Sequence, residues 1–177
     1  LYYGPQKEAE VKSALAKHHK VAADLQPLEK KFSTLLPTDA NKVVLAQYDA
    51  KQLYYLQFSN RGEKFDVAAD PEITLYNEYF GGGMNTIVFQ EMREARGLAY
   101  TAWATLATPS NANGDYSYYA FIATQNDKMQ KAVEAFDDII NNMPESEKAF
   151  GIAKEALVSR LRTERTVKDG VLWSLSL

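Results

Sequence analysis

The residues with the most chemical potential gather in one stretch, "YFGGGMNTIVFQEMREARGLAY", positions 79 to 100. It holds Gly81, Gly82 and Gly83 in a row, a carboxylate at Glu91, guanidinium groups at Arg93 and Arg96, then Gly97 and the phenol of Tyr100. Adjacent glycines are costly to order, because glycine loses more backbone freedom on folding than any other residue. Such a run could serve as a phosphate cradle, a turn between helices, or a wall where a ligand's backbone approaches closely. A cradle needs the glycines between a strand and a helix, with a lysine after them or a third glycine in G-x-G-x-x-G spacing. Here a helical pattern precedes them, the spacing from Gly81 and Gly83 arrives at Thr86, and no lysine follows. An interhelical turn is the better reading.

Other chemistries find less support. His18 and His19 are the only histidines, and neighbouring positions on a helix diverge by about 100°, so they do not form the one-turn pair of a zinc-binding helix. Cysteine is absent, which removes thiolate metal sites and sulfur nucleophiles. Asp137-Asp138 and Glu145/Glu147 read as solvated acids. The tyrosines mostly alternate along strand-like runs, where aromatic packing on a pleated surface is expected.

These groups need elements to position them. "KVVLAQYD" and "QLYYLQFS" (42–49 and 52–59) are β-branched and aromatic and read as two strands joined at Ala50-Lys51. Asp70-Pro71-Glu72 starts a helix, with Asp70 as cap, running to about Phe80. A second helix is expected from Met84 to Ala95, with Met84, Ile87, Val88, Met92 and Ala95 on one face and Gly97 ending it. On that helix Arg93 falls opposite the apolar stripe and Glu91 falls inside it, where a carboxylate requires a structural partner. "LAYTAWATLAT" and "DYSYYAFIATQ" flank "PSNANG" as a strand-turn-strand unit. Two helices close the pattern, one with Met129, Val133, Phe136, Ile140 and Met143 on its inner face, the other with Phe150, Ala153, Leu157 and Leu161. The order ββααββαα implies an α+β layer, a largely antiparallel sheet with helices on one face.

Upstream, "LYYGP" reads as the end of a strand and "KEAEVKSALAKHHK" as a helix, together the end of a preceding domain (1–22). A Pro27- and Pro37-bearing linker (23–40) follows, then the main domain (41–177). The start at Leu1 and the stop in "VLWSLSL" read as cuts from a longer polypeptide. Hydrophobic residues at 46%, charged residues at 24% and a net charge of -3 argue against disorder and against nucleic-acid binding. No run of about 18 apolar residues exists to span a membrane. The compartment stays open, the bacterial periplasm or cell envelope included.

The stretch 79–100 resembles the insulinase/pitrilysin family of zinc metallopeptidases, the inverzincins, whose pattern runs helix, Gly-rich turn, F-Q-E-L-R helix and R-G-L-A-Y strand start. Phe89–Arg93 reads F-Q-E-M-R and Arg96–Tyr100 reads R-G-L-A-Y. The resemblance extends in element order over 41–166, and "YYGP" with its helix is similar to the close of the family's preceding domain. It implies two bowl-shaped halves around a chamber, one holding zinc through H-x-x-E-H and a distal Glu. This sequence has no H-x-x-E-H and so resembles the zinc-free companion half, with no catalytic residue and no metal of its own. By that resemblance Arg93 and Tyr100 are the clamp on the substrate backbone and Gly81, Gly82 and Gly83 line the substrate wall, while the helix geometry makes Glu91, Arg96 and Gly97 structural. The implied partners are a peptide substrate and the zinc-bearing half, in the same chain or in a partner subunit. Two alternatives remain open at this stage: a catalytically dead scaffold relative, and a peptide-binding module that uses a sheet edge.

Overall fold

In the computed structural model, residues 2–25, 35–164 and 170 are described. The chain divides into two compact units, Leu35–Glu164 and a second made of Leu1–Thr34 with Arg165–Leu177. In the second unit, α1 (Glu8–His18) starts with acids in its first turn, and the Glu10 carboxylate accepts the Lys7 backbone N–H at 3.1 Å. No α1 side chain is buried. Residues 2 and 3 are irregular and 4–6 form a bend, not the expected strand end, since Gly4-Pro5 turns the chain. Half of the expected linker (26–34) and the apolar tail (171–177) lie outside the described residues.

In the larger unit, alternating side chains build a three-stranded antiparallel sheet from β1 (Gln52–Ser59), β2 (Thr101–Ala107) and β3 (Ser117–Gln125), in the order β1-β3-β2. The register sets Tyr55 and Ala102 beside Ile122, and Gln57 and Ala104 beside Ala120. One face therefore carries Ala102, Ala104, Ala120, Ile122 and Thr124, all buried, under the helices. Those helices are α2 (Asp70–Phe80), the short α3 (Ile87–Phe89), α4 (Met129–Asn141) and α5 (Glu147–Thr163). The core joins Phe80, Val88, Met92, Phe136, Ile139 and Ala153 to the sheet alanines, whose small side chains let helices approach the strands. The other face carries Tyr54, Phe58, Trp103, Tyr119 and Phe121, with Trp103 stacked on Phe121 at 5.5 Å. The α+β class expected from sequence is the class of the fold.

Individual elements differ. Residues 42–49 are not in the sheet, and Val43, Val44, Leu45 and Tyr48 are between 86% and 89% exposed. The helices pack chiefly on β2 and β3, so a strand beyond β1 finds no layer against which to bury its side chains. Asp70 is the first residue of α2 and not its cap; a 3-10 turn (Val67–Ala69) precedes it, capped by Asp66, which accepts the Ala68 N–H at 2.9 Å. The α4 stripe is rotated: Ala132, Ala135, Phe136 and Ile139 are buried, while Met129 and Met143 are exposed, because the alanines offer the closer approach to the sheet. On α5 only Ala153 is buried, and Phe150 and Leu161 are exposed.

Candidate functional site

The glycine run separates into three different situations. Gly81 closes α2: its N–H donates to the Asn77 carbonyl at 3.2 Å and its own carbonyl accepts the Ala104 N–H at 3.2 Å. The helix end thus abuts the backbone of β2, and a side chain at Gly81 has no room. Gly82 also donates to the Asn77 carbonyl, at 2.9 Å, and a Cβ there would stand 3.0 Å from that oxygen. Gly83 meets nothing within 4 Å where a Cβ would sit. Its carbonyl accepts from the Thr86 N–H (3.1 Å) and hydroxyl (2.6 Å), which turns the chain into α3. Asn77 completes the corner through its side chain, donating to the Leu106 carbonyl at 3.0 Å and accepting the Leu106 N–H at 2.9 Å.

The next helix is shorter and wider than its sequence suggests. α3 begins at Ile87, leaving Met84 in the turn and 71% exposed, and it continues as a π-helix over Gln90–Ala95. The Arg96 N–H reaches the Glu91 carbonyl at 3.2 Å, and Leu98 reaches back to the Met92 carbonyl at 2.9 Å. Such bulges are uncommon and often lie at functional sites. Ile87, Val88 and Met92 are buried as expected, whereas Ala95 is exposed because the wider turn swings it outward. Gly97, at φ +56°, takes the left-handed conformation that ends the helix, and its carbonyl accepts from Lys128 Nζ at 3.1 Å.

Around this frame the polar residues take distinct positions. Glu91, one-third exposed, lies at the margin of the apolar face and pairs with Arg96 at 3.4 Å; Arg96 also reaches Asp138 at 3.6 Å. Arg93 is half exposed, its guanidinium 5.0 Å over the Phe89 ring and 3.6 Å from Glu94. Tyr100 is 53% exposed and anchored by its backbone N–H to the Ala123 carbonyl at 2.9 Å. Its hydroxyl accepts from Gln125 Nε2 at 3.1 Å. Gln125 alternates with Tyr119 and Phe121 along β3, so the Tyr100 hydroxyl stands at one end of the aromatic sheet face. Arg93 and Tyr100 flank Gly97, and no hydrogen bond joins them.

Sequence reasoning missed Asn77, Gln125 and Asp138, whose partners lie far away along the chain. It also missed a half-buried phenol pair packed against the core: burial pushes Tyr118 well above the usual tyrosine range, aided by the neighbouring Tyr76 hydroxyl. Tyr76 is raised by burial as well, with the nearby Tyr118 hydroxyl opposing the shift. Among the described residues, no group of three or more acidic or histidine side chains is placed to share a metal ion, and no helix is long and apolar enough to cross a membrane.

A helix end, a π turn and a strand start thus expose an arginine and a tyrosine on a layered α+β frame. Residues 1–157 match the family model of the peptidase M16 inactive domain, and the chain belongs to that family. The solved peptidase M16 inactive domain from Pseudomonas fluorescens has a similar fold, with a TM-score of 0.55 at 19% sequence identity over 72% of this chain. The chain spans 30% of that protein's length. No curated protein gives a significant match.

Proposed function

We propose that this chain is the substrate-holding, non-catalytic half of a zinc metalloendopeptidase acting on peptides or small proteins. The observation that carries the reading is exposed Tyr100 at the end of an aromatic sheet face, its hydroxyl held by Gln125 among the described residues, with Arg93 exposed across Gly97. A tyrosine hydroxyl can donate to a peptide carbonyl oxygen, and an arginine offers several donors that stay charged. Tyr54, Phe58, Trp103, Tyr119 and Phe121 supply apolar surface beside them. Zinc belongs to the other half in this reading. His18 and His19, both exposed at the end of α1, do not fit a zinc site here.

The test is made in the parent polypeptide carrying both halves, with a fluorogenic peptide as substrate. Arg93→Ala and Tyr100→Phe should leave Tm within about a degree or two, as for exposed positions outside the core. Tyr100→Phe should lower kcat by ~10²–10³ if the hydroxyl binds the transition state more tightly than the substrate. Arg93→Ala should raise KM as well as lower kcat. Wild-type hydrolysis by both folded variants, or a parent that cleaves no peptide, would sink the reading.

A further inference from the structure

We propose that Gln125 is a positioning residue that keeps the proton of the Tyr100 hydroxyl free for a bound peptide, an inference that rests on the substrate-holding role proposed for Tyr100. A phenol oxygen can accept and donate at once, but its one proton serves one acceptor. Gln125 Nε2 donates to that oxygen at 3.1 Å, so the bond uses acceptor capacity and leaves the proton uncommitted. Among the described residues no second hydrogen bond reaches the hydroxyl. Conjugation keeps a phenol O–H near the ring plane, with two directions open to it, and a donor seated at one leaves the other for the proton. A hydroxyl that accepts a hydrogen bond also donates a stronger one, because bonds in a chain polarise each other. Gln125 thereby turns the proton away from itself and strengthens it as a donor.

The backbone around this pair is fixed without the amide. The Tyr100 N–H donates to the Ala123 carbonyl at 2.9 Å, the Thr124 hydroxyl donates to the Leu98 carbonyl at 2.5 Å, and Lys128 Nζ donates to the Gly97 carbonyl at 3.1 Å. Residues at and just beyond the end of β3 therefore hold the chain on its way into β2. Gln125 is itself set by register, opposite Gln52 of β1. What these bonds leave free is rotation of the Tyr100 side chain and its hydroxyl, and that is where the amide acts. A neutral amide suits the place. An ionised carboxylate of the same length can only accept, so it would take the phenol's proton for itself, and an alanine would leave the hydroxyl to water. Tyr119 and Phe121, which share the Gln125 face of β3, are aromatic, so packing along that face does not call for an amide.

The test uses the parent polypeptide with both halves and a fluorogenic peptide. It reads kcat, KM and Tm for Gln125→Ala and Gln125→Glu, each alone and combined with Tyr100→Phe. Gln125→Ala should lower kcat by about two- to tenfold, the loss of one neutral hydrogen bond. Gln125→Glu should lower it roughly tenfold further, because the hydroxyl then commits its proton to the carboxylate. KM should change by less than about twofold and Tm by no more than about a degree or two in both. In the Tyr100→Phe background neither change should lower kcat further, since both act through the missing hydroxyl. A side chain with a merely structural role gives the opposite order, the isosteric glutamate being milder than alanine. That order, a kcat raised by Gln125→Ala, a higher KM with kcat intact, or full additivity with Tyr100→Phe would overturn the inference while the role of Tyr100 stands. Wild-type hydrolysis by Tyr100→Phe alone, or a parent that cleaves no peptide, would instead remove the role of Tyr100 and this inference with it.

Discussion

Replacing Gly81 with alanine should destabilise the larger unit severely, whereas the same change two residues later should not. A Cβ at Gly81 meets backbone on every near side, with the Ala104 carbonyl carbon and nitrogen 2.7 and 2.8 Å away and the Ala104 oxygen nearer still. None of these is the flexible end of a side chain. Ala104 is itself 1% exposed and sits in the middle of β2, so relief requires α2 and β2 to separate. Overpacking of this kind costs about 1–3 kcal/mol, and loss of the Ala104-to-Gly81 hydrogen bond adds about 1 kcal/mol. The sum, about 2–4 kcal/mol, is a large share of the 5–15 kcal/mol by which domains are typically stable. It corresponds to a fall in Tm of roughly ten degrees.

Gly82→Ala should cost about 1 kcal/mol, since the Asn77 oxygen at 3.0 Å must yield by a few tenths of an ångström. Gly83→Ala meets open space at a φ accessible to any residue, and should be neutral or stabilise by about 0.4–1 kcal/mol through the unfolded chain. Thermal and urea unfolding of the three variants gives the comparison directly. If Gly81→Ala and Gly83→Ala shift the urea midpoint equally, the steric account of the glycine run is wrong.

Glu91→Ala should cost no more than about 1 kcal/mol in urea unfolding, because its partner Arg96 is 3.4 Å away and both side chains are about one-third exposed; a larger loss would show a partner beyond that pair. Asn77→Ala removes two bonds to the Leu106 backbone and should cost about 2–3 kcal/mol by the same assay, a neutral result meaning that water replaces them. Tyr118 has a folded-state pKa above its unfolded value near ~10, so its neutral form belongs to the fold: the stabilisation is complete below pH ~10 and is lost as pH rises beyond it, by at most about 1.4 kcal/mol per pH unit. Stability measured from pH 8 to 11.5 should therefore fall less steeply in Tyr118→Phe, and an unchanged slope would refute the assignment.

Local chemistry made much of this fold legible. Pro71 and Glu72 mark the start of α2, "PSNANG" marks the β2–β3 turn, and Pro144 separates α4 from α5, because each acts through its own backbone or its immediate neighbours. Features decided by distant partners were not legible. The need for glycine at position 81 comes from the backbone of Ala104, and the rotation of α4 comes from which residues let it approach the sheet. Residues 42–49 have the composition of a strand, but composition does not reveal whether a covering layer exists. At the candidate site, the outward direction of Arg93 was legible from helical spacing, but the π turn that carries it has no local signature, and it alters which side chains share a face.

The strand order β1-β3-β2 also sets a sequence of assembly. β2 and β3 close across a short connection, with Ala107 meeting Ser117, while β1 must bring Gln52 to Gln125 across α2, the glycine turn and the π turn. Contacts between residues so far apart carry a larger loop-closure entropy and slow folding. β1 therefore docks late, onto a β2–β3 hairpin already formed, and its release leaves that hairpin paired. The central position of β3 makes it the template for both neighbours, so a substitution that blocks its pairing would arrest the sheet before either edge forms.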